Sequence, residues 1–141
     1  MEFPLDLVDV ELDGGAPVVA VAHVVARLPA LRGGAWRGPI VVVMNAEFIG
    51  VADVAPRGHP NDGRVETLVV DESMTVRQRW ASRRRLRNAM HLPHPQISTR
   101  SVRTATFDFD VSLRVLADGV DIGAARSMTV TVRPDAAIVY S

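Results

Sequence analysis

The chain is patterned mostly in period two. "LDLVDVELDG" sets Leu5, Leu7, Val8, Val10 and Leu12 among acids, and predicts a half-buried strand that ends at Asp13-Gly14-Gly15. "PVVAVAHVVARL" and "PIVVVMNAEFIGV" are valine-rich runs too continuous for a one-sided helix. They predict strands covered on both faces or lying in a sandwich core. Beyond a polar middle, "TATFDFDVSLRVLADG" opposes Phe107, Phe109, Val111 and Leu113 to Asp108, Asp110, Ser112 and Arg114, and "SMTVTVRPDAAIVYS" alternates as well. Between these runs, Asp118-Gly119 predicts a two-residue hairpin whose type I′ turn needs positive φ at both central positions. One segment reads differently. "SMTVRQRWASRRRLRNAM" predicts a helix from Thr75 to Asn88, capped by Ser73, with Val76 and Trp80 four apart and a stop before "HLPHP". No repeat or linker divides the chain. The pattern predicts a single all-β domain over 1–141, a two-sheet antiparallel sandwich of about ten strands with one short helix.

Composition narrows the chemistry. A chain of 141 residues can bury roughly 70% of the surface that its unfolded form exposes, enough for a real core. With no cysteine there is no disulfide framework, thiolate metal cluster or cysteine nucleophile, and cytoplasm is the expected compartment. The acidic start resembles neither a secretory signal nor a transit peptide. The longest apolar runs reach about half of the ~20 residues that a membrane-spanning helix needs. Formal charge is zero but unevenly placed. Five acids fall within residues 1–13, while eight arginines and no acid lie between Met74 and Thr106, so opposed acidic and basic faces are expected.

The order "WRGPIVVVMNAEFIG", "VAPRGHPNDGRVE", an arginine-rich segment leading to "HLPHP", then "LADGVDIG" and "MTVTVRPDAAIVY" resembles the C-terminal domain of the diacylglycerol and sphingosine lipid-kinase family. That family's pattern runs from a strand ending in Asn, through an Ala-Pro loop to Asp-Gly, then a short helix and a His, then Asp-Gly-Glu. The resemblance covers nearly the whole chain and implies the half of the enzyme that contributes to lipid-substrate binding. In the family, ATP binds an N-terminal domain through Gly-Gly-Asp-Gly-Thr. This sequence contains no such loop, so no nucleotide site is expected in it. Where the family carries Asp-Gly-Glu, the chain has Asp118-Gly119-Val120. Asp118 is then a remnant of the catalytic edge without its partner acid. Asp121, on the opposite face of a strand from Val120, is a poor substitute.

The resemblance also implies a structural magnesium ion held by Asp62 with backbone carbonyls around His59 and Arg64. The residues themselves fit a rigid two-turn connection better, with Asp62 bonding its own backbone, because a single carboxylate is a weak metal signal. Asn45, which ends its strand in the family pattern, and His59, within the loop, are candidate binding positions. His91 and His94 have a zinc-like spacing spoiled by Pro93 and Pro95. His23 reads as a core or edge histidine with one hydrogen-bond partner. Arg77, Arg79, Arg83, Arg84, Arg85 and Arg87 wrap most of a helix. They fit a solvated face, or, with Trp80 as an interfacial residue, a surface for anionic lipid headgroups. No nucleic-acid signature is present. The reading that results is a non-catalytic lipid- or protein-binding module, cytoplasmic and peripheral at the membrane. The alternatives are one half of a split lipid kinase completed by a separate ATP-binding chain, and a regulatory partner of an intact kinase.

Overall fold

The period-two runs form strands in the computed structural model, which describes residues 2–45, 63–86 and 97–140, with side chains within 6–45, 63–81 and 97–134. In chain order these are β1 (Glu2–Leu12), β2 (Val18–Ala20), β3 (His23–Arg27), β4 (Ile40–Met44), β5 (Val65–Val70), β6 (Ile97–Val102), β7 (Thr104–Ala117) and β8 (Val120–Tyr140). One helix, α1 (Val76–Leu86), and two 3₁₀ turns at Ala30–Arg32 and Gly34–Trp36 complete the described elements. The strands join in one antiparallel sheet, in the order β2-β1-β8-β7-β3-β4-β5-β6.

The described residues thus form eight strands in one hydrogen-bonded sheet, where the sequence pattern predicts about ten in two. The count is lower because β7 and β8 are long and continuous. β8 runs past Pro134, which has no N–H to donate, because its register against β1 shifts between Leu5 and Leu7 and leaves the proline in an unpaired stretch. The polar middle hides two strands, β5 and β6. The run "PVVAVAHVVARL" divides into β2 and β3. The Asp118-Gly119 hairpin forms as predicted, with φ of 50° and 82°.

The sheet is not flat. β2 and β3 stand four places apart, roughly 19 Å in a flat sheet. Only Val21 and Ala22 join them, and that link reaches at most about 11 Å. β1 and β4 are also four places apart, yet Asn45 Nδ2, just past β4, donates to the Asp6 carbonyl of β1 at 2.6 Å. The sheet therefore curls back until its first strands meet its middle ones. Its bend falls in β7, whose register against β8 slips between Asp108 and Leu113.

Inside the curl lies the main core, built from Val8 and Val10, Val24 and Ala26, Val41 and Val43, Val65, Leu113 and Val115, and Met128 and Val130. A second cluster covers the opposite face of β4 and β5, where Ile40, Met44, Leu68 and Val70 pack with Met74 and Ile97. The run of β4 is accordingly buried on both faces, whereas "PVVAVAHVVARL" is buried on one face only and leaves Val18, Val19 and Val21 exposed. Helix α1 starts on a capping box. Thr75 Oγ1 accepts from Gln78 N–H at 3.2 Å and Gln78 Oε1 accepts from Thr75 N–H at 2.9 Å. Thr75 is the cap, and Ser73 instead donates its N–H to Asp71 Oδ1. No helix among the described residues is long and apolar enough to cross a membrane.

Candidate functional site

The two-residue crossover from β2 to β3 leaves backbone groups that no strand can pair, and polar side chains converge on it. Asp118, at the β7–β8 turn, accepts from the N–H groups of Val21, Ala22 and His23 at 2.8, 2.7 and 3.1 Å. Its own N–H donates to the His23 carbonyl at 2.9 Å. From another side, Asn45 donates Nδ2 to the Val21 carbonyl at 3.1 Å and its backbone N–H to the Ala22 carbonyl at 2.8 Å. The structure therefore brings Asn45 and Asp118 together as two grips on one crossover, where the curled sheet closes.

Asp6 belongs to the same seam and escapes a reading by composition. It is buried, and its carboxylate accepts from Gly63 N–H, which ties the start of β5 to β1. The signal was its phase: Asp6 shares parity with Val8 and Val10, both of the core. Two buried polar atoms here have no partner, Asn45 Oδ1 and His23 Nδ1. His23 is thus held through its backbone rather than through the ring bond expected of it.

The electrostatics of Asp118 follow from this geometry. Partial burial pushes its carboxyl up, but the three amide donors outweigh this and hold it below the ordinary carboxylate value. Such a group is a stable anion and a weak proton acceptor. The neighbouring Val120, where the family pattern places glutamate, is 65% exposed. Asp121 is engaged elsewhere, as its two oxygens take Arg114 Nε and Nη2 at 3.0 and 2.6 Å and one also takes Gly123 N–H. The Arg114 bond is the first cause of the lowering of its carboxyl.

Three of the five acids near the N-terminus are engaged within the fold. Asp6 is buried, Asp9 pairs with Arg133 at 2.9 Å, and Asp13 accepts from the N–H groups of Arg126 and Ser127. Arg79 departs equally from the solvated-helix reading. Only 6% exposed, it donates Nε to Met74 O at 2.9 Å, Nη1 to Ala35 O at 3.3 Å, and Nη2 to Gly38 O and Asp71 O at 2.5 and 3.3 Å. It locks α1 onto the 3₁₀ segment, and burial holds its guanidinium below its usual value. His59, Asp62, His91 and His94 lie outside the described residues, as do the side chains of Arg83, Arg84 and Arg85. Among the described residues no group of three or more His, Asp or Glu is placed to hold a metal.

With this geometry in view, known proteins can be compared. Residues 8–141 match the model of the YegS C-terminal NAD kinase beta sandwich-like domain. Three solved structures from Bacillus anthracis str. Sterne, one described as a diacylglycerol kinase and two provisionally so, superpose with TM-scores of 0.73, 0.67 and 0.71 at 12, 11 and 11% identity. They cover all of this chain, and the chain spans 58, 55 and 58% of theirs. At that identity the likeness is one of fold. No curated protein matches the sequence.

Proposed function

The chain belongs to the YegS C-terminal NAD kinase beta sandwich-like domain family, and from that footing we propose that it acts as a non-catalytic module on the lipid-substrate side of a lipid-kinase-type system. It binds lipid or a partner protein and turns over no nucleotide by itself. The observation that carries this reading is Asp118: the residue at the family's catalytic edge gives its carboxylate to three backbone amides, beside a valine in place of the second acid. Phosphoryl transfer depends on placed charge and metal, and this edge offers one anion already engaged. The 141-residue chain, given Mg-ATP and diacylglycerol, is expected to form no phosphorylated lipid and to release no binding heat with ATP. A micromolar ATP site by calorimetry overturns the reading.

A second reading has its own support. The structural relatives extend well beyond the part this chain spans. An ATP-binding half carrying Gly-Gly-Asp-Gly-Thr, from a separate chain or from sequence outside these residues, would complete a split kinase. Lipid phosphorylation that appears only on mixing the two halves supports it. On the same footing we read the curled sheet as the sandwich of the family description, because seam bonds such as Asn45 to Asp6 join its first strands to its middle ones.

Magnesium at Asp62 is also a proposal. Its support is the sequence resemblance together with the Asp6 bond to Gly63, which fixes the backbone next to Asp62. If the ion is structural, Mg²⁺ should raise the Tm of the wild type and Asp62→Ala should abolish the increment. A Tm indifferent to Mg²⁺ and EDTA favours the rigid turn.

A further inference from the structure

The Arg79 clamp has an outward consequence. By fixing α1 against Ala35 and Gly38, it sets two tryptophans side by side at the surface. Trp36, Val76, Arg77 and Trp80 line a shallow, open recess of about 720 Å³. Trp80 is 54% exposed, Val76 is exposed, and Leu31 on the adjoining 3₁₀ turn is fully exposed. Arg32, Arg37 and Arg77 are exposed on the same segments. The sequence places no acid from Leu28 to Asn45 or from Ser73 to Phe107; the nearest, Asp71 and Glu72, lie on the turn before the helix.

We infer that this surface docks the domain onto an anionic phospholipid bilayer, with Leu31, Val76 and Trp80 entering the interface and Arg32, Arg37 and Arg77 facing the headgroups. The inference rests on reading the chain as a lipid-side binding module, and it names the contact. Charge complementarity selects the occupant: an apolar patch bordered by arginines and by no carboxylate of its own segments suits a negatively charged partner that is greasy beneath its charge. Indole rings favour the boundary between headgroup and acyl chain. Each arginine near such a surface contributes about 1 kcal/mol, a factor of about five in affinity, so neither the charges nor the apolar tip suffices alone.

Trp36 and Trp80 are the only two tryptophans in the chain, so selectively excited tryptophan fluorescence reports on this patch. Vesicles of phosphatidylcholine with phosphatidylserine should shift the emission to the blue and sediment the chain at low salt. About 0.5 M salt should release it, and pure phosphatidylcholine should leave both signals unchanged. Leu31→Ser with Trp80→Ser should weaken sedimentation at least tenfold, and Arg32→Gln with Arg77→Gln by about twentyfivefold. Both pairs are exposed, and an unchanged melting curve verifies that the variants fold. Bromolipid quenching of wild-type fluorescence provides a second readout without mutation. Absence of binding to anionic vesicles, equal binding to neutral ones, or sedimentation indifferent to both double variants overturns the inference. The module reading then stands or falls separately on the ATP and lipid-phosphorylation assays.

Discussion

Arg79 illustrates how one side chain can serve against its apparent type. In a run of arginines it reads as one more surface charge. Yet the turn of backbone around it offers four carbonyls, and the guanidinium fork is the side chain with enough planar donors to reach them together. Arg79→Lys keeps the charge and loses the fork, and should destabilise by about 1–3 kcal/mol in urea unfolding. An equally stable variant would show the clamp to be incidental. Nothing in composition separates Arg79 from Arg77, because the difference arises from the carbonyls of residues 35 and 38, which only the fold brings near. Asp6 was legible in principle through its phase with Val8 and Val10. Asp118 was legible as a turn residue, while its three amide partners were not.

Among elements, the strands were read best where the apolar alternation is strict, as in β1 and β7. The reading failed where tertiary structure cuts or fuses a run. The valines from Val18 to Val25 look continuous, yet the chain breaks at Val21-Ala22, where the curled sheet makes it change partners. β6 was missed because it is an edge strand of mostly exposed residues and lacks an apolar signal, while β5, apolar and buried, is a run of only six residues enclosed by polar sequence. Gly38 lies between the 3₁₀ turn and β4, a position that fixes both the helix and the strand after it. Its φ is +72°, and an added Cβ would meet Leu28 Cδ1 at 2.6 Å. Gly38→Ala should therefore cost about 1–3 kcal/mol, from the left-handed backbone and from crowding of Leu28. It should also loosen the Arg79 bond to the Gly38 carbonyl. Faster amide exchange at the start of α1 in this variant is the expected sign, and unchanged exchange there speaks against the coupling.

For the whole molecule, the sheet that curls back on itself needs something to hold its first strands against its middle ones, and the hydrophobic core alone does not pair the backbone of the crossover. Asn45 and Asp118 supply those bonds, and Asp6 ties β1 to Asn45 and to the start of β5. The residues that a family resemblance marks for chemistry, Asn45 and Asp118, are on this account its structural seam. The mostly-β, antiparallel character and the family were legible from patterning and spaced motifs, but the roles of these residues were not, because a carboxylate at a turn looks the same whether it faces a substrate or an amide. The most direct measurement compares wild type with Asp118→Asn by urea unfolding between pH 7 and pH 2.5. Asparagine suits the left-handed turn, so the substitution keeps the backbone while it removes the charge and one of the two accepting oxygens. The folded carboxyl lies below its unfolded value of about 3.9, so its stabilisation is complete above that pH and fades as pH falls through the folded value. The account predicts a wild type more stable by about 1–3 kcal/mol at pH 7, with the gap closing below pH 4. Identical unfolding of the two proteins at every pH would contradict it.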